Sequence, residues 1–181
     1  STIEHALAAL YAAGIDNCLI TLNAPELPIL DGSAIYYAEK IDEVGIVEQE
    51  SEKDYYIVKQ KIEVIDEKTG SSLIVLPDED FSIDTMIEFD SAILQNQFAS
   101  LHSMKNFKSE IAASRTFVFV REIEALLNAN LIKGGDLDNA IVIYDQPMSK
   151  EALDKISNLI GIEGVEVSDL GYLNNKPLVF N

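Results

Sequence analysis

Apolar residues near the start of the chain recur with the spacing of a helix. Residues 2–13 carry two apolar faces, and a helix that is apolar on both sides is typically buried between layers. Ser1 or Thr2 with Glu4 predicts a capping box, and Gly14 predicts the end of the helix. The first face comprises Ile3, Ala6, Leu7, Leu10 and Tyr11, and the second comprises Ala8, Ala9 and Ala12.

The next segments combine an apolar run with two prolines and a turn signal. Asn17–Leu22 predicts a strand, whereas Pro25 and Pro28 exclude a helix between residues 23 and 30. Asp31-Gly32-Ser33 predicts a turn and a cap before a helix at about 33–44, which Gly45 would end.

A charged run at residues 48–54 predicts a domain boundary, with one unit at 1–48 and another at 54–181. Thr116–Val120, Arg121–Asn130 and Ala140–Tyr144 predict a small β-α-β unit at about 116–143. Strand groups interspersed with helices favour an α+β fold of two-layer sheet-and-helix domains. The other expected strands are 55–65, 71–76, 81–89 and 98–102, and the other expected helices are 107–113 and 149–160.

Charge and composition exclude several classes of protein. The formal net charge is −18, from 31 acidic and 13 basic residues, so no basic footprint for nucleic acid exists. No apolar run approaches the roughly 20 residues of a membrane helix, and no segment has the layout of a signal peptide. The single cysteine, Cys18, is predicted to be buried in a strand and fits a reducing, cytoplasmic location.

Glu4-His5 is the strongest candidate for chemistry. Its functional interpretation is a zinc ligand at His5 beside a general base at Glu4, because zinc lowers the pKa of its water to about 7 and a carboxylate can then accept the proton. Its structural interpretation is a capping glutamate beside a histidine that packs over alanines. A dipeptide alone leaves both interpretations open.

Other candidates carry weaker signals. His102 is the only other histidine, and it is expected at the surface, since Asn106 lies where a His-x-x-x-Asp pair would need its aspartate. Bidentate recognition of an anion by arginine would have to come from Arg115 or Arg121. Thr116 is predicted in a strand, opposite a core-facing pair, Phe117 and Phe119. Gly134-Gly135 lacks the full spacing of a phosphate loop.

Four separated blocks resemble one family in order and content, the UDP-3-O-acyl-N-acetylglucosamine deacetylases, which are zinc amidases of lipid A synthesis in Gram-negative bacteria. The blocks are Ser1-Thr2-Ile3-Glu4-His5-Ala6-Leu7-Ala8-Ala9-Leu10 continuing to Asn17, Ala24-Pro25-Glu26-Leu27-Pro28-Ile29-Leu30-Asp31-Gly32-Ser33-Ala34, Ser114–Glu124, and Gly134–Val142.

The resemblance implies roles for individual residues. His5 matches a zinc ligand, Glu4 the general base, and Thr116 a residue that stabilises the oxyanion of the tetrahedral intermediate. The β-α-β unit matches an insert of the second domain that forms the passage for the acyl chain. Apolar or small residues implied at the substrate are Phe117, Phe119, Val120, Ile123, Ile132, Gly135, Ala140 and Val142. Asp136 stands at a position where the resemblance leads us to expect a small, uncharged residue.

The resemblance also implies what the chain would lack. Both ends of the sequence are interpreted as internal to a longer protein. The family's His-x-x-x-Asp zinc ligands, and a later histidine that acts as an acid, would therefore lie downstream. The implied parent removes the N-acetyl group from UDP-3-O-(3-hydroxyacyl)-N-acetylglucosamine, and this chain alone is expected to be inactive. Some family members are fused to a hydroxyacyl-carrier-protein dehydratase, and the residues leave open whether this parent is.

Two alternatives stay open. In the first, the chain is a non-catalytic module that self-associates or binds a partner. This alternative arises because only one of the three expected zinc ligands is present. Alternatively, His5, His102 and a carboxylate form a metal site within the chain, which needs the two histidines to lie close in space.

Overall fold

The computed structural model describes residues 3–91, 93–129, 138–160 and 171–172. Mixed helices and short strands fill these ranges, as an α+β fold requires. The helices are α1 (Glu4–Ala12), α2 (Ile35–Val44), α3 (Phe107–Glu110), α4 (Val120–Asn128) and α5 (Lys150–Ile160). The strands are β1 (Ile62–Ile65), β2 (Ser72–Val75), β3 (Ile83–Ile87), β4 (Gln97–Leu101), β5 (Phe117–Phe119), β6 (Ile141–Tyr144) and β7 (Gly171–Tyr172).

Helix α1 packs through its small residues and not through its large ones. Ala6 and Ala9 are buried, while Leu7 and Tyr11 are about half exposed, so burial of both faces was a wrong prediction for the described residues. The helix begins at Glu4, immediately after Ile3, and no side chain caps it there. The predicted Ser1 and Thr2 caps lie outside the described residues.

The segment Asn17–Leu22 was wrongly predicted as a strand. It is not paired with any strand in the described ranges, and Leu19 is 92% exposed. Cys18 is consequently exposed and free, not buried. An apolar run becomes a strand only when neighbouring backbone satisfies its N–H and C=O groups, and no described segment pairs with this run through its backbone.

Helix α2 confirms its predicted boundaries. The Asp31–Ser33 turn precedes it, and Gly45 ends it with a φ of 74°, a conformation that glycine adopts without steric cost. A hydrogen bond from Lys108 on α3 to Asp42 on α2 ties the two helices together and raises the pKa of that lysine.

The predicted strands of the middle region form two antiparallel pairs. Strand β1 pairs with β2 through a turn at residues 66–70, and β3 pairs with β4 in a register that places Thr85 opposite Ala99. Residues of the first pair are exposed on both faces of the ladder, including Val64 and Leu73.

The described part of the segment predicted as a β-α-β unit contains a strand, a helix and a strand. Strand β5 leads directly into α4 and pairs in parallel with β6, and β7 adds antiparallel to the other edge of β6. Residues 130–137 of the connection lie outside the described ranges. Strand β6 is buried along its whole length, as parallel strands between layers usually are, while β5 is half-buried except at Phe119.

Each face of this sheet has its own core. One face packs against α4 and α5, and its buried members are Val120, Ile123, Val142, Tyr144, Leu153 and Ile156. The other face packs against the segment before β4, and its buried members are Leu94, Phe119, Ile141 and Ile143. The sheet is therefore the central layer of this region.

A third core joins residues from both sides of the predicted domain boundary at 48–54. It includes Ala9 of α1 and Ala38 of α2 together with Leu101, Phe107 and Ala112. The division into two domains itself stays a prediction. Within the described residues, no helix has the length and apolar character needed to cross a membrane.

Candidate functional site

The adjacent Glu4 and His5 open helix α1. Glu4 is exposed and His5 is half-buried, while Ala6 and Ala9 anchor the same helix in the protein. No described residue forms a hydrogen bond with either side chain. The first turn of α1 therefore carries an exposed carboxylate and a half-buried imidazole on adjacent residues.

The core beneath α1 connects this helix to the start of α2 and to the segment before Thr116. Ala9 packs in one cluster with Ala34 and Ala112, and the backbone N–H of Ala34 donates to the carbonyl oxygen of Ala112 at 2.9 Å. These alanines flank the Asp31–Ser33 turn and the approach to Thr116. The structure thus brings three segments, distant in sequence, into one packed unit.

Thr116 lies immediately before β5 with its backbone held on both sides. Its N–H donates to the carbonyl oxygen of Gly32 at 2.7 Å, and its own carbonyl accepts from the N–H of Ile141 at 2.9 Å. No other described residue engages its hydroxyl. Thr116 therefore combines a fixed main chain with a side-chain donor available to a ligand.

The two arginines are engaged in structural contacts and not in an open anion site. Arg115 donates through Nε to the carbonyl of Asp31 at 2.7 Å and through Nη2 to the carbonyl of Asp138. Arg121 pairs with the carboxylate of Asp145, a residue 3% exposed, and lies over the Phe119 ring. Neither guanidinium presents the bidentate fork considered from the sequence.

The predicted substrate residues differ in how they pack. Phe117 and Phe119 contact Phe89 edge to face, with ring centroids 5.4 and 6.1 Å apart, so their predicted core-facing pair is confirmed. Val120, Ile123 and Val142 are buried between α4, α5 and the sheet. Phe117 and Ala140 are half-buried and retain accessible surface. Ile132, Gly135, Gly134 and Asp136 lie outside the described residues.

The described ranges contain no cluster of three histidine, cysteine, aspartate or glutamate residues that could hold a metal ion. A zinc site built from His5, His102 and a carboxylate is therefore not formed among them, and His102 is exposed just after β4. His5 alone offers one of the three protein ligands that a catalytic zinc site normally uses. Any zinc at this turn requires further ligands.

The role of the Asp31–Ser33 turn was missed by the sequence reasoning, which interpreted it only as a turn and a helix cap. The signal was the glycine between two polar residues. Gly32 has a φ of 82°, and a Cβ at this position would lie 2.0 Å from the carbonyl oxygen of Asn139. Sequence alone shows the turn but not the neighbour it meets.

These elements define an α+β protein in which Ala9 of α1 packs in one core with Ala34 and Ala112, beside the turn that holds the backbone of Thr116. Residues 1–157 match the family described as LpxC: UDP-3-O-acyl N-acetylglycosamine deacetylase. The chain belongs to this family.

Relatives along the whole chain agree with this assignment. The chain is 62% identical over 99% of its length to a bifunctional enzyme LpxC/FabZ of Bacteroides thetaiotaomicron, and 58% identical over its full length to a bifunctional enzyme LpxC/FabZ of Porphyromonas gingivalis. It is 45% identical over 81% of its length to a UDP-3-O-acyl-N-acetylglucosamine deacetylase of Nitratiruptor. The chain spans 39% of each of the first two relatives and 49% of the third.

Proposed function

We propose that this chain is part of a longer cytoplasmic polypeptide that removes the N-acetyl group from UDP-3-O-(3-hydroxyacyl)-N-acetylglucosamine in lipid A biosynthesis. The proposal rests on two observations: Glu4 and His5 have no hydrogen-bond partner among the described residues, and the Thr116 hydroxyl stands on a backbone held by two hydrogen bonds. Membership of the deacetylase family supports the choice of substrate. The reaction is hydrolysis of a linear amide, and it releases acetate.

Glu4 acts as the general base in this proposal. Its carboxylate is exposed on the first turn of α1, so it can reach a water molecule beside the acetamide carbonyl and accept the proton as that water attacks. The proton is then available for the departing amine.

Thr116 acts as the donor to the oxyanion. A hydroxyl on a fixed main chain costs little reorganisation when negative charge develops, and one such donor contributes roughly 3 kcal/mol of transition-state stabilisation. The two backbone hydrogen bonds of Thr116 supply the required rigidity.

His5 is the ligand that this chain contributes to a catalytic zinc. Zinc, when bound, activates water and polarises the carbonyl. The other two ligands are proposed to lie downstream, in the part of the family that the chain does not span. Recognition of the UDP diphosphate likewise needs basic residues outside this strongly acidic chain.

The half-buried Phe117 and Ala140 are proposed to line the entrance of the passage for the acyl chain, with Ile132 and Gly135 on the connection between α4 and β6. Phe119 packs on the same face of the sheet as Phe117, whereas Val120, Ile123 and Val142 pack in the core on the opposite face. Each CH₂ buried in such a passage contributes about 0.8 kcal/mol. The names of the Bacteroides and Porphyromonas relatives support a parent that carries a second enzymatic activity.

Zinc content tests the proposal. We expect the longer polypeptide to retain about one zinc after dialysis against a mild chelator, and the 181-residue chain to retain far less, because binding free energy falls steeply when ligands are missing. His5→Gln in the longer polypeptide should release the metal, measured by elemental analysis. His102→Gln is the matched control and should retain it. Equal zinc in the longer polypeptide with and without His5→Gln would contradict the ligand assignment.

A second candidate function is supported by the exposed apolar hairpin of β1 and β2. Val64 and Leu73 are 61% and 65% exposed, and such a surface favours association with a second chain. A non-catalytic module of this kind should self-associate. If the chain is such a module, sedimentation velocity at tens of micromolar should detect dimers. A monomeric chain at that concentration would rule out the self-associating module.

A further inference from the structure

The Asp31–Ser33 turn is held together by its own side chains. The Asp31 carboxylate accepts from the Ser33 hydroxyl at 2.8 Å and from the Ser33 N–H at 3.2 Å, and the Ser33 hydroxyl accepts from the N–H of Ile35 at 3.2 Å. Ser33 is fully buried. The turn is therefore a rigid element fixed to the start of α2.

The backbone of this turn holds the two parallel strands where both begin. The Gly32 carbonyl accepts the N–H of Thr116, just before β5. Arg115 bridges the carbonyl oxygens of Asp31 and Asp138, and Asp138 lies just before β6. One turn therefore contacts both segments that enter the sheet.

Gly32 leaves no space for a side chain. A Cβ would lie 2.0 Å from the carbonyl oxygen and 2.9 Å from the carbonyl carbon of Asn139, and 3.2 Å from Cγ2 of Thr116. The first two neighbours are backbone atoms, so relief of the clash requires the turn to separate from the strands. The hydrogen bond from the Thr116 N–H to the Gly32 carbonyl would be the first to break.

We propose that Gly32 and Arg115 are positioning residues that hold the Thr116 hydroxyl at the site of the developing oxyanion. This inference rests on the proposed function, since it assigns to the turn a part in the same reaction. Gly32 acts through close backbone packing, and Arg115 acts by locking the turn to the start of β6. Neither residue touches the reacting atoms.

Kinetics of the longer, zinc-loaded polypeptide test this role. Thr116→Val should lower kcat about 10²-fold or more, and Gly32→Ala should lower it roughly tenfold to 10²-fold with little change in KM, because small misplacements of a catalytic group are costly. The Gly32→Ala/Thr116→Val double variant should be no slower than Thr116→Val within about threefold. Additive effects would overturn the proposal, since they would mean that Gly32 does not act through Thr116.

A matched control separates the clash from backbone strain. Gly70 has a φ of 74° with nothing near its missing Cβ, so Gly70→Ala imposes a comparable φ penalty without a clash. Its kcat should equal that of the unaltered polypeptide. Arg115→Lys is the second variant if Gly32→Ala fails to fold, because lysine is a point donor that cannot bridge both carbonyls as the guanidinium does. It should show the same non-additivity with Thr116→Val.

Hydrogen exchange of the Thr116 amide provides a readout that does not depend on activity. In the 181-residue chain, Gly32→Ala should accelerate exchange at Thr116 at least tenfold more than Gly70→Ala does, because the acceptor carbonyl moves away. Equal exchange in the two variants would overturn the positioning role. An inactive longer polypeptide would contradict the proposed function, while the exchange result would still decide the role of the turn.

Discussion

Glu4→Gln in the longer, zinc-loaded polypeptide should lower kcat for deacetylation by about 10²- to 10⁴-fold, the usual contribution of a general base. Glutamine keeps the size of the side chain but cannot accept the proton of the attacking water. The substitution leaves His5 in place, so zinc content should be unchanged. Initial rates of acetate release at saturating substrate, with zinc measured on the same samples, report both quantities.

The control is Glu67→Gln in the turn between β1 and β2, an equally exposed carboxylate far from α1 in sequence. Its rate should match that of the unaltered polypeptide. If Glu4→Gln retained full activity with its zinc, another group would be the base. A fall in both activity and zinc would instead show that Glu4 acts in metal binding.

Arg121→Ala should lower the free energy of unfolding by about 3–5 kcal/mol, the range for removing one partner of a buried ion pair. The Asp145 side chain is 1% exposed and would keep an unpaired charge, while Arg121 itself is 27% exposed. The substitution also removes the guanidinium from the Phe119 ring, 4.2 Å away. The pair joins the start of α4 to the end of β6, so its removal should loosen the whole β-α-β unit.

Urea denaturation followed by far-ultraviolet circular dichroism measures this effect, since the chain has no tryptophan. Lys40→Ala is the matched control, because Lys40 pairs with Glu43 where both side chains are exposed, and such pairs contribute about 0–1 kcal/mol. Asp145→Asn should cost less than Arg121→Ala, since the remaining arginine reaches solvent. Equal midpoints for Arg121→Ala and Lys40→Ala would contradict a structural role for the pair.

Local pattern predicted most elements of this fold because helix and strand periodicity depends on neighbouring residues. The helix ended by Gly45 and the strands around residues 66–70 follow from such patterns, and so does the succession of strand, helix and strand from Thr116 to Tyr144. The failures arose where a long-range partner decides the outcome. Asn17–Leu22 has strand composition, but no described segment pairs with it.

The candidate site divides in the same way. The Glu4-His5 pair and Thr116 were identified from sequence by their chemistry and by resemblance to a family. The packing of Ala9, Ala34 and Ala112 against one another could not be predicted from sequence, because a small apolar residue does not indicate which surface it contacts.

The sequence by itself determined the fold class, the order of most elements and the candidate residues Glu4, His5 and Thr116. Only the tertiary structure decided that Gly32 meets the backbone of Asn139, that Arg115 bridges two carbonyls, and that Arg121 neutralises a buried carboxylate. These contacts join residues far apart in the chain. Their geometry depends on how helices and strands pack, and a linear pattern of apolar and polar residues does not encode that packing residue by residue.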